Sequence, residues 1–219
     1  MLPLTLARGA NKKCRILCLG AHSDDIEIGC GGTILELLRL NRRVEFHWVV
    51  FTSGAERERE ARRSAALFLK GAVSKTVSVL DFRNGFFPFE GAQIKEYFEE
   101  LKAAASPDLI FTHTRDDLHQ DHRLINQLTW NTWRNHLILE YEIPKYDGDL
   151  RTPNFYVPFD RKIAERKIKY LMECFGTQRD KHWFTPDTFS GLMRIRGLEA
   201  VSAGQFAEGF YARKVAFRI

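Results

Sequence analysis

The chain has 219 residues, with 33 lysine and arginine residues against 28 aspartate and glutamate residues and a hydrophobic content of 44%. This composition excludes a disordered or fibrous protein, and the length suits one domain that buries a core without disulfides. The net charge of +5 is mild and spread along the chain, so we expect no nucleic-acid partner.

The sequence predicts a soluble cytoplasmic protein. The first 15 residues lack the apolar stretch of a signal peptide, and no run reaches the roughly 18 apolar residues of a membrane span. The four cysteines have no C-x-x-C spacing, which argues against a cysteine zinc knuckle and favours buried thiols in a reducing compartment.

Predicted strands and helices alternate along the first two thirds of the chain. In chain order we predict strand 15–20, helix 33–40, strand 44–52, helix 55–70, strand 76–80, helix 91–105, strand 108–112, helix 121–135 and strand 137–141. A turn-rich stretch at 147–158 precedes helices at 161–175 and 187–201 and a late strand at 210–217.

This alternation predicts the fold class. It is typical of an α/β protein with a Rossmann-like, three-layer arrangement, in which helices cover both faces of a mostly parallel sheet. We expect one domain over 1–219, with the core at about 1–142 and a C-terminal cap with the late strand at about 143–219.

Two short polar motifs each follow a predicted strand. They are His22-Ser23-Asp24-Asp25 and His119-Gln120-Asp121-His122. The carboxyl ends of parallel strands lie at one edge of the sheet, where ligands bind in open α/β folds. We therefore expect the two loops to meet, whereas two unrelated polar loops with helix-capping aspartates would have no reason to do so.

Histidine and carboxylate side chains in this pattern favour a metal site. Zn²⁺ binds such ligands and keeps one position open in catalytic sites, and Fe²⁺ or Mn²⁺ accepts the same set. Two neighbouring carboxylates point in different directions, so one is expected to bind the metal and the other to act as general base. The residues alone do not say which aspartate has which role.

The motifs resemble those of one known family. Ala21-His22-Ser23-Asp24-Asp25, then Gly31-Gly32-Thr33, and later His113 with Asp117-Leu118-His119-Gln120-Asp121-His122-Arg123, are similar to the PIG-L/LmbE-like family of zinc-dependent N-deacetylases. Thr52-Ser53-Gly54 and 206–210 (FAEGF) extend the similarity. The resemblance implies a Rossmann-like fold and removal of acetyl groups from N-acetylglucosamine-type moieties.

The resemblance also implies the residue roles. His22, Asp25 and His122 match the metal ligands, and Asp24 matches the general base. His119 matches the residue that stabilises the oxyanion and donates a proton, with Asp121 orienting its imidazole. Four more residues are candidates for substrate contact: Arg57, Asn84, His113 and Glu208. His113 alternatively lies behind the metal ligands.

The sequence departs from the family pattern at two positions. Ser23 replaces a usual proline, for which we expect a looser loop with intact ligands, and Asn84 stands where relatives often have aspartate. The expected substrate is an N-acetylated amino sugar, free, nucleotide-linked or within a glycoconjugate or natural product. Residues 139–157 are expected either to stack on this sugar and hydrogen-bond its hydroxyls or to form only a surface loop, and a homo-oligomer is left open.

Two alternatives remain at this point. Residues 27–32 (EIGCGG) resemble the acidic, glycine-rich loop of S-adenosylmethionine-dependent methyltransferases, although the predicted strand ends at Gly20, before that segment. A catalytically inactive metal-binding protein is the other alternative. A methyltransferase would bind S-adenosylmethionine and need no zinc, so metal content separates it from the deacetylase.

Overall fold

A computed structural model describes residues 13–40 and 43–216. The seven strands are β1 (Cys14–Gly20), β2 (Val44–Val50), β3 (Ser74–Val79), β4 (Leu109–His113), β5 (Leu137–Tyr141), β6 (Phe155–Phe159) and β7 (Phe206–Tyr211). The six α-helices are α1 (Asp25–Leu40), α2 (Ala55–Phe68), α3 (Gly91–Ala104), α4 (Gln120–Thr132), α5 (Arg161–Cys174) and α6 (Pro186–Glu199). Single 3₁₀ turns lie at Phe87–Phe89 and Gly176–Gln178.

The seven strands form one sheet in the order β3-β2-β1-β4-β5-β7-β6. Strands β1 to β5 pair in parallel, and β7 is antiparallel to both β5 and β6. The predicted α/β class with a mostly parallel sheet is confirmed. The last third of the chain adds two strands to the same sheet.

The core is divided between the two faces of the sheet. Successive side chains of a strand point to opposite faces, and in β1 Ile16 and Cys18 belong to one buried cluster whereas Leu17 and Leu19 belong to the other. The first cluster includes residues of α1, α2, α5 and α6, and the second includes residues of α3 and α4. Helices therefore cover both faces, as predicted.

The first helix begins earlier than predicted. It starts at Asp25 rather than at residue 33 and includes the glycine-rich segment, with a non-helical residue at Cys30. A side chain at Gly31 would meet Phe68 within 2.6 Å, so the glycine allows α2 to approach closely. Gly31 therefore serves the packing of α1 against α2, and the glycine-rich segment does not form a loop.

The C-terminal third also differs from the prediction. The stretch interpreted as turns contains β6, and the late strand β7 begins at Phe206 instead of residue 210. Gly209 obscured the strand pattern, and it is required because a side chain there would meet Pro153 within 2.6 Å. Residues 1–12, considered for a signal peptide, and Phe217, at the end of the predicted strand, lie outside the described residues.

None of the helices within 13–40 and 43–216 is both long enough and apolar enough to cross a membrane.

Candidate active site

The candidate site lies at the carboxyl edge of the sheet between β1 and β4. The strand order reverses there, since β1 leads to β2 on one side and β4 to β5 on the other, and such reversals open a crevice for ligands. His22 follows β1, and Asp25 is the first residue of α1. His122 lies in the first turn of α4, beyond β4.

The structure brings the three proposed metal ligands together. His22 Nδ1 lies 3.0 Å from His122 Nε2 and 3.3 Å from Asp25 Oδ2, and the latter two atoms are 3.5 Å apart. Zinc bonds of about 2.0–2.2 Å in a tetrahedral arrangement hold their ligand atoms roughly 3.3 Å apart. The donor atoms of this chain therefore fit a zinc-sized cation.

Each of the two histidines proposed as metal ligands has a carboxylate on its other ring nitrogen. His22 Nε2 lies 3.3 Å from Asp121 Oδ2, and His122 Nδ1 lies 2.9 Å from Asp117 Oδ2. Such carboxylates fix the tautomer and orientation of metal-binding histidines. With the other ring nitrogens bonded to these carboxylates, His22 Nδ1 and His122 Nε2 face each other and Asp25. This is the arrangement of donor atoms that a bound cation requires.

Asp117 had no assigned role in the sequence analysis. Its carboxylate also accepts a hydrogen bond from the His119 backbone amide at 2.8 Å and contacts Lys145 Nζ at 3.1 Å. Burial opposes its ionisation, but His122, His113 and Lys145 hold the pKa of Asp117 below its ordinary value. In the sequence, the position of Asp117 five residues before His122 was the signal that could have indicated this contact.

The electrostatics of the cluster favour a bound positive charge. Burial disfavours the charged form of His22, yet Asp25 and Asp121 raise its pKa to about 10. Burial and His113 lower the pKa of His122 to about 3, so that ring is neutral. Burial alone would raise the pKa of Asp25, but the surrounding histidines hold it well below its ordinary value.

His119 faces the cleft as a neutral imidazole. Its Nδ1 accepts a hydrogen bond from the backbone amide of Asp121 at 3.2 Å, which caps α4. Burial and the nearby His22 lower the pKa of His119. With Nδ1 accepting, the ring proton lies on Nε2, which is then a hydrogen-bond donor.

Asp121 does not orient His119 through its carboxylate, contrary to our expectation. Its Oδ2 accepts a hydrogen bond from the Gly85 amide at 2.7 Å, and its Oδ1 accepts one from the Phe87 amide at 3.1 Å. These contacts direct the carboxylate towards His22 instead. Only the main chain of Asp121 bonds to the His119 ring.

Asp24 lines the same cleft and is paired with Arg57. Asp24 is 4% exposed, and Arg57 Nη2 donates to its Oδ1 at 2.6 Å. Arg57 lies in the first turn of α2, so this ion pair connects the Asp24 carboxylate to a second secondary-structure element. Arg57 was predicted to contact substrate, and the structure shows a direct contact with Asp24.

Of the other predicted substrate contacts, Asn84 lines the cleft but His113 does not. His113 is fully buried, and its Nε2 lies 2.9 Å from the Ala21 amide and 3.2 Å from Asp25 Oδ2. His113 therefore lies behind Asp25, one of the proposed metal ligands, which is the other arrangement considered for it. The donor atoms of Asp25, His113 and His122, and those of His22, His119 and His122, also lie within 4.8 Å of one another.

Glu208 is not brought to the cleft. Its carboxylate is buried and accepts hydrogen bonds from the amides of Gly32 and Thr33, each at 2.7 Å, and from Lys167 Nζ at 2.6 Å. Lys167 also donates to the Ile28 carbonyl at 2.6 Å. Glu208 and Lys167 thus bind backbone groups on both sides of Cys30, where the backbone of α1 is not helical.

The cleft itself has a volume of about 470 Å³, within the usual range for small-molecule sites. His22, Asp24, Asp25, His119 and His122 lie on one wall. Ser23 is buried beneath them and contacts Ser53, with their hydroxyl oxygens 3.4 Å apart. Residues from the last third of the chain, among them Tyr146 and Trp183, line another part of the cleft.

The glycine-rich segment gives no support to a methyltransferase. Residues 27–32 lie within α1 and are buried, so they do not form a loop that follows a strand. The amide of Gly32 is bound by Glu208.

The match to a family model agrees with the fold and the site. Residues 17–133, more than half of the chain, match the PIG-L family, described as GlcNAc-PI de-N-acetylase. The chain belongs to this family of deacetylases. The matched region contains both motifs.

Individual relatives support the same class. A protein of Escherichia coli K12 described as the uncharacterized deacetylase YaiS is 29% identical over 157 residues, which cover 66% of this chain and 82% of the relative. The N,N'-diacetylchitobiose deacetylase of Pyrococcus horikoshii superposes with a TM-score of 0.69 at 23% identity, covering 90% of this chain and 82% of that one.

The fold alone does not determine the reaction. GalB, the 4-carboxy-2-hydroxymuconate hydratase of Pseudomonas putida KT2440, also superposes with a TM-score of 0.69, at 16% identity, covering 94% of this chain and 99% of that one. The specific activity must therefore be argued from this chain's own residues.

Proposed function

We propose that this protein is a zinc-dependent hydrolase that removes the N-acetyl group from an N-acetylglucosamine-like amino sugar, producing acetate and a free amine. The observation that supports it best is the set of three donor atoms 3.0–3.5 Å apart that opens onto a cleft with Asp24 and His119 on its wall. Fe²⁺ or Mn²⁺ would fit the same ligands.

His22, Asp25 and His122 would hold the metal. Bound zinc polarises a carbonyl oxygen and lowers the pKa of its water to about 7. The chain's contribution is to keep both imidazoles in the ligating tautomer, through Asp121 and Asp117. Asp25 is fixed by the His22 backbone amide, which donates to Oδ2 at 2.6 Å.

Asp24 is the proposed general base. It lies next to a ligand in the sequence and lines the cleft, and Arg57 holds it through Oδ1. The other oxygen, Oδ2, is the atom that we assign to accept a proton from the attacking water. The ion pair prevents rotation of the carboxylate away from that water, which reduces the entropy lost on reaching the reactive arrangement.

His119 is the proposed donor to the oxyanion that develops on the acetamide carbonyl. Its neutral ring offers Nε2–H, because Nδ1 already accepts from the Asp121 amide. A preorganised donor of this kind stabilises charge that exists only in the transition state. The departing amine then receives its proton from Asp24 or from His119.

The substrate assignment rests on the cleft. Its volume suits a sugar ring with a further group, and Asn84, Tyr146 and Trp183 offer hydrogen bonding and stacking along its lining. Aromatic side chains are well suited to pack against the apolar face of a sugar.

The decisive experiment combines metal analysis with acetate release. The wild-type protein, a His22→Ala/His122→Ala variant and the control His47→Ala, at a histidine of β2 outside the cleft lining, would be purified in parallel, and their folding compared by circular dichroism. We expect one zinc per chain and acetate release from N-acetyl sugars in the wild type and the control, and neither in the double variant.

Other outcomes have definite meanings. Equal metal content in the wild type and the double variant would remove the basis of the mechanism. Metal binding without acetate release from any N-acetyl sugar would favour the inactive metal-binding alternative. Release only from acetylated peptides would contradict the sugar assignment.

A further inference from the structure

One wall of the cleft comes from the last third of the chain and includes Tyr146, Lys181 and Trp183. Two separate segments build this wall and touch each other, since the Tyr146 hydroxyl accepts a hydrogen bond from the His182 backbone amide at 3.3 Å. The ring of Trp183 lies 5.5 Å from Lys181 Nζ. An ammonium group and two aromatic rings therefore face the same space.

The Lys181 ammonium is held by a buried amide. Lys181 Nζ donates to Gln178 Oε1 at 2.5 Å, and Gln178 is only 4% exposed. Gln178 Nε2 in turn donates to Thr177 Oγ1 at 3.0 Å, and Thr177 is bound through its backbone amide and its hydroxyl by Glu60 of α2. This series of contacts ties the charge to the body of the protein.

Lys181 differs from the other cations of the cleft in its partners. Arg57 is paired with Asp24, and Lys145 is paired with Asp117 and Asp149. Within 13–40 and 43–216, no carboxylate lies within 4.0 Å of Lys181 Nζ. Among the lysine and arginine residues in the described lining of the cleft, Lys181 is therefore the one whose charge is available to an anion.

We propose that Tyr146, Lys181 and Trp183 form a subsite for a phosphate group attached to the acetylated sugar, an inference that rests on the proposed function. The Lys181 ammonium binds the phosphate oxygens as a point charge, and the aromatic rings pack against the ring that carries the phosphate or against a base beyond it. The preferred substrate is then a phosphorylated N-acetyl sugar, either a sugar phosphate or a nucleotide-linked sugar.

The test compares a neutral substrate with anionic ones. Acetate release would be measured with methyl N-acetylglucosaminide, N-acetylglucosamine 1-phosphate and UDP-N-acetylglucosamine. We expect the wild type to show a kcat/KM for the phosphorylated sugars that is about 10-fold above that for the methyl glycoside, mainly through KM, which is the lower end for a hydrogen bond to a charged group.

Lys181→Met is expected to bring this ratio close to one, and Lys181→Arg to preserve most of it. The matched control is Lys162→Met on α5, an exposed lysine outside the cleft, which should leave the ratio unchanged. A nucleotide-linked sugar is indicated as the preferred substrate if Trp183→Ala raises the KM for UDP-N-acetylglucosamine more than the KM for N-acetylglucosamine 1-phosphate. An equal rise indicates a sugar phosphate.

The subsite would be ruled out if the wild type showed no preference for phosphorylated sugars, or if Lys181→Met kept the same preference. Failure of the proposed function is a separate result, namely no acetate from any sugar with the zinc-loaded protein. In that case calorimetric binding of glucosamine 1-phosphate decides. Weaker binding by Lys181→Met than by the wild type supports the subsite, and equal binding rejects it.

Discussion

The carboxylate of Asp121 bonds to His22, a proposed metal ligand, with Oδ2 3.3 Å from His22 Nε2, and not to the neighbouring His119. The Asp121 backbone amide bonds to His119 Nδ1 at 3.2 Å. One residue thus contacts two imidazoles through different atoms, and its side chain contacts the proposed metal ligand His22.

Asp121→Asn is therefore expected to weaken metal binding. An amide in place of the carboxylate no longer fixes the ligating tautomer of His22, and loss of such a partner typically reduces metal affinity by about 10–100-fold. Competition with a chelator of known zinc affinity would measure the change. Asp147→Asn, at an exposed carboxylate of the same cleft, is the control. Unchanged zinc affinity with a lower kcat would instead indicate that Asp121 acts through His119.

Asp24→Asn is expected to keep the metal and lose activity. The amide retains the shape of the side chain but cannot accept the proton of water, and a general base typically contributes about 10²–10⁴-fold to kcat. Asp25→Ala should lose both metal and activity. Zinc content measured beside kcat separates the two roles. They would have to be exchanged if Asp24→Asn lost zinc while Asp25→Ala kept it.

His119→Ala should keep the metal and lower kcat by about 10²–10³-fold, the usual effect of removing an oxyanion donor. It also removes the cap of α4, which costs roughly 1 kcal/mol of folding free energy. His119→Asn separates these effects, because asparagine is a good helix cap but lacks the imidazole. We expect His119→Asn to unfold at nearly the same urea concentration as the wild type and to have a low kcat. Full activity in His119→Asn would contradict the role of the imidazole.

Glu208→Ala is expected to destabilise the fold without acting on the chemistry directly. It leaves the buried Lys167 unpaired and two amides of α1 without an acceptor, and breaking a buried ion pair typically costs about 3–5 kcal/mol. Urea denaturation would measure the loss. The control is Lys169→Ala, which removes an exposed pair with Glu173 and should have no measurable effect. Unchanged stability in Glu208→Ala would contradict the structural role.

The sequence predicted the location of the site because that location follows from strand geometry. Parallel strands place the residues after β1 and β4 at one edge, so the proximity of His22 and His122 could be expected from two motifs about a hundred residues apart. The alternation of strands and helices likewise predicted the fold class.

Side-chain partners could not be predicted in the same way. The direction of the Asp121 carboxylate depends on the amides of Gly85 and Phe87, in a loop whose position no local pattern specifies. The Arg57–Asp24 contact joins the first turn of α2 to the loop after β1, two segments that follow different strands. Glu208 belongs to a motif that resembles a family site, but a strand at that register places its side chain beneath α1.

The bonds from Glu208 to α1 have a consequence for biosynthesis. The helix that begins at Asp25 is synthesised well before Glu208, which binds the amides of its interrupted middle turn. A nascent chain in which β7 has not yet been synthesised lacks the Glu208 carboxylate that accepts hydrogen bonds from these amides. Complete bonding of α1, the helix that begins with the proposed metal ligand Asp25, therefore requires that β7 has already been synthesised and has joined the sheet.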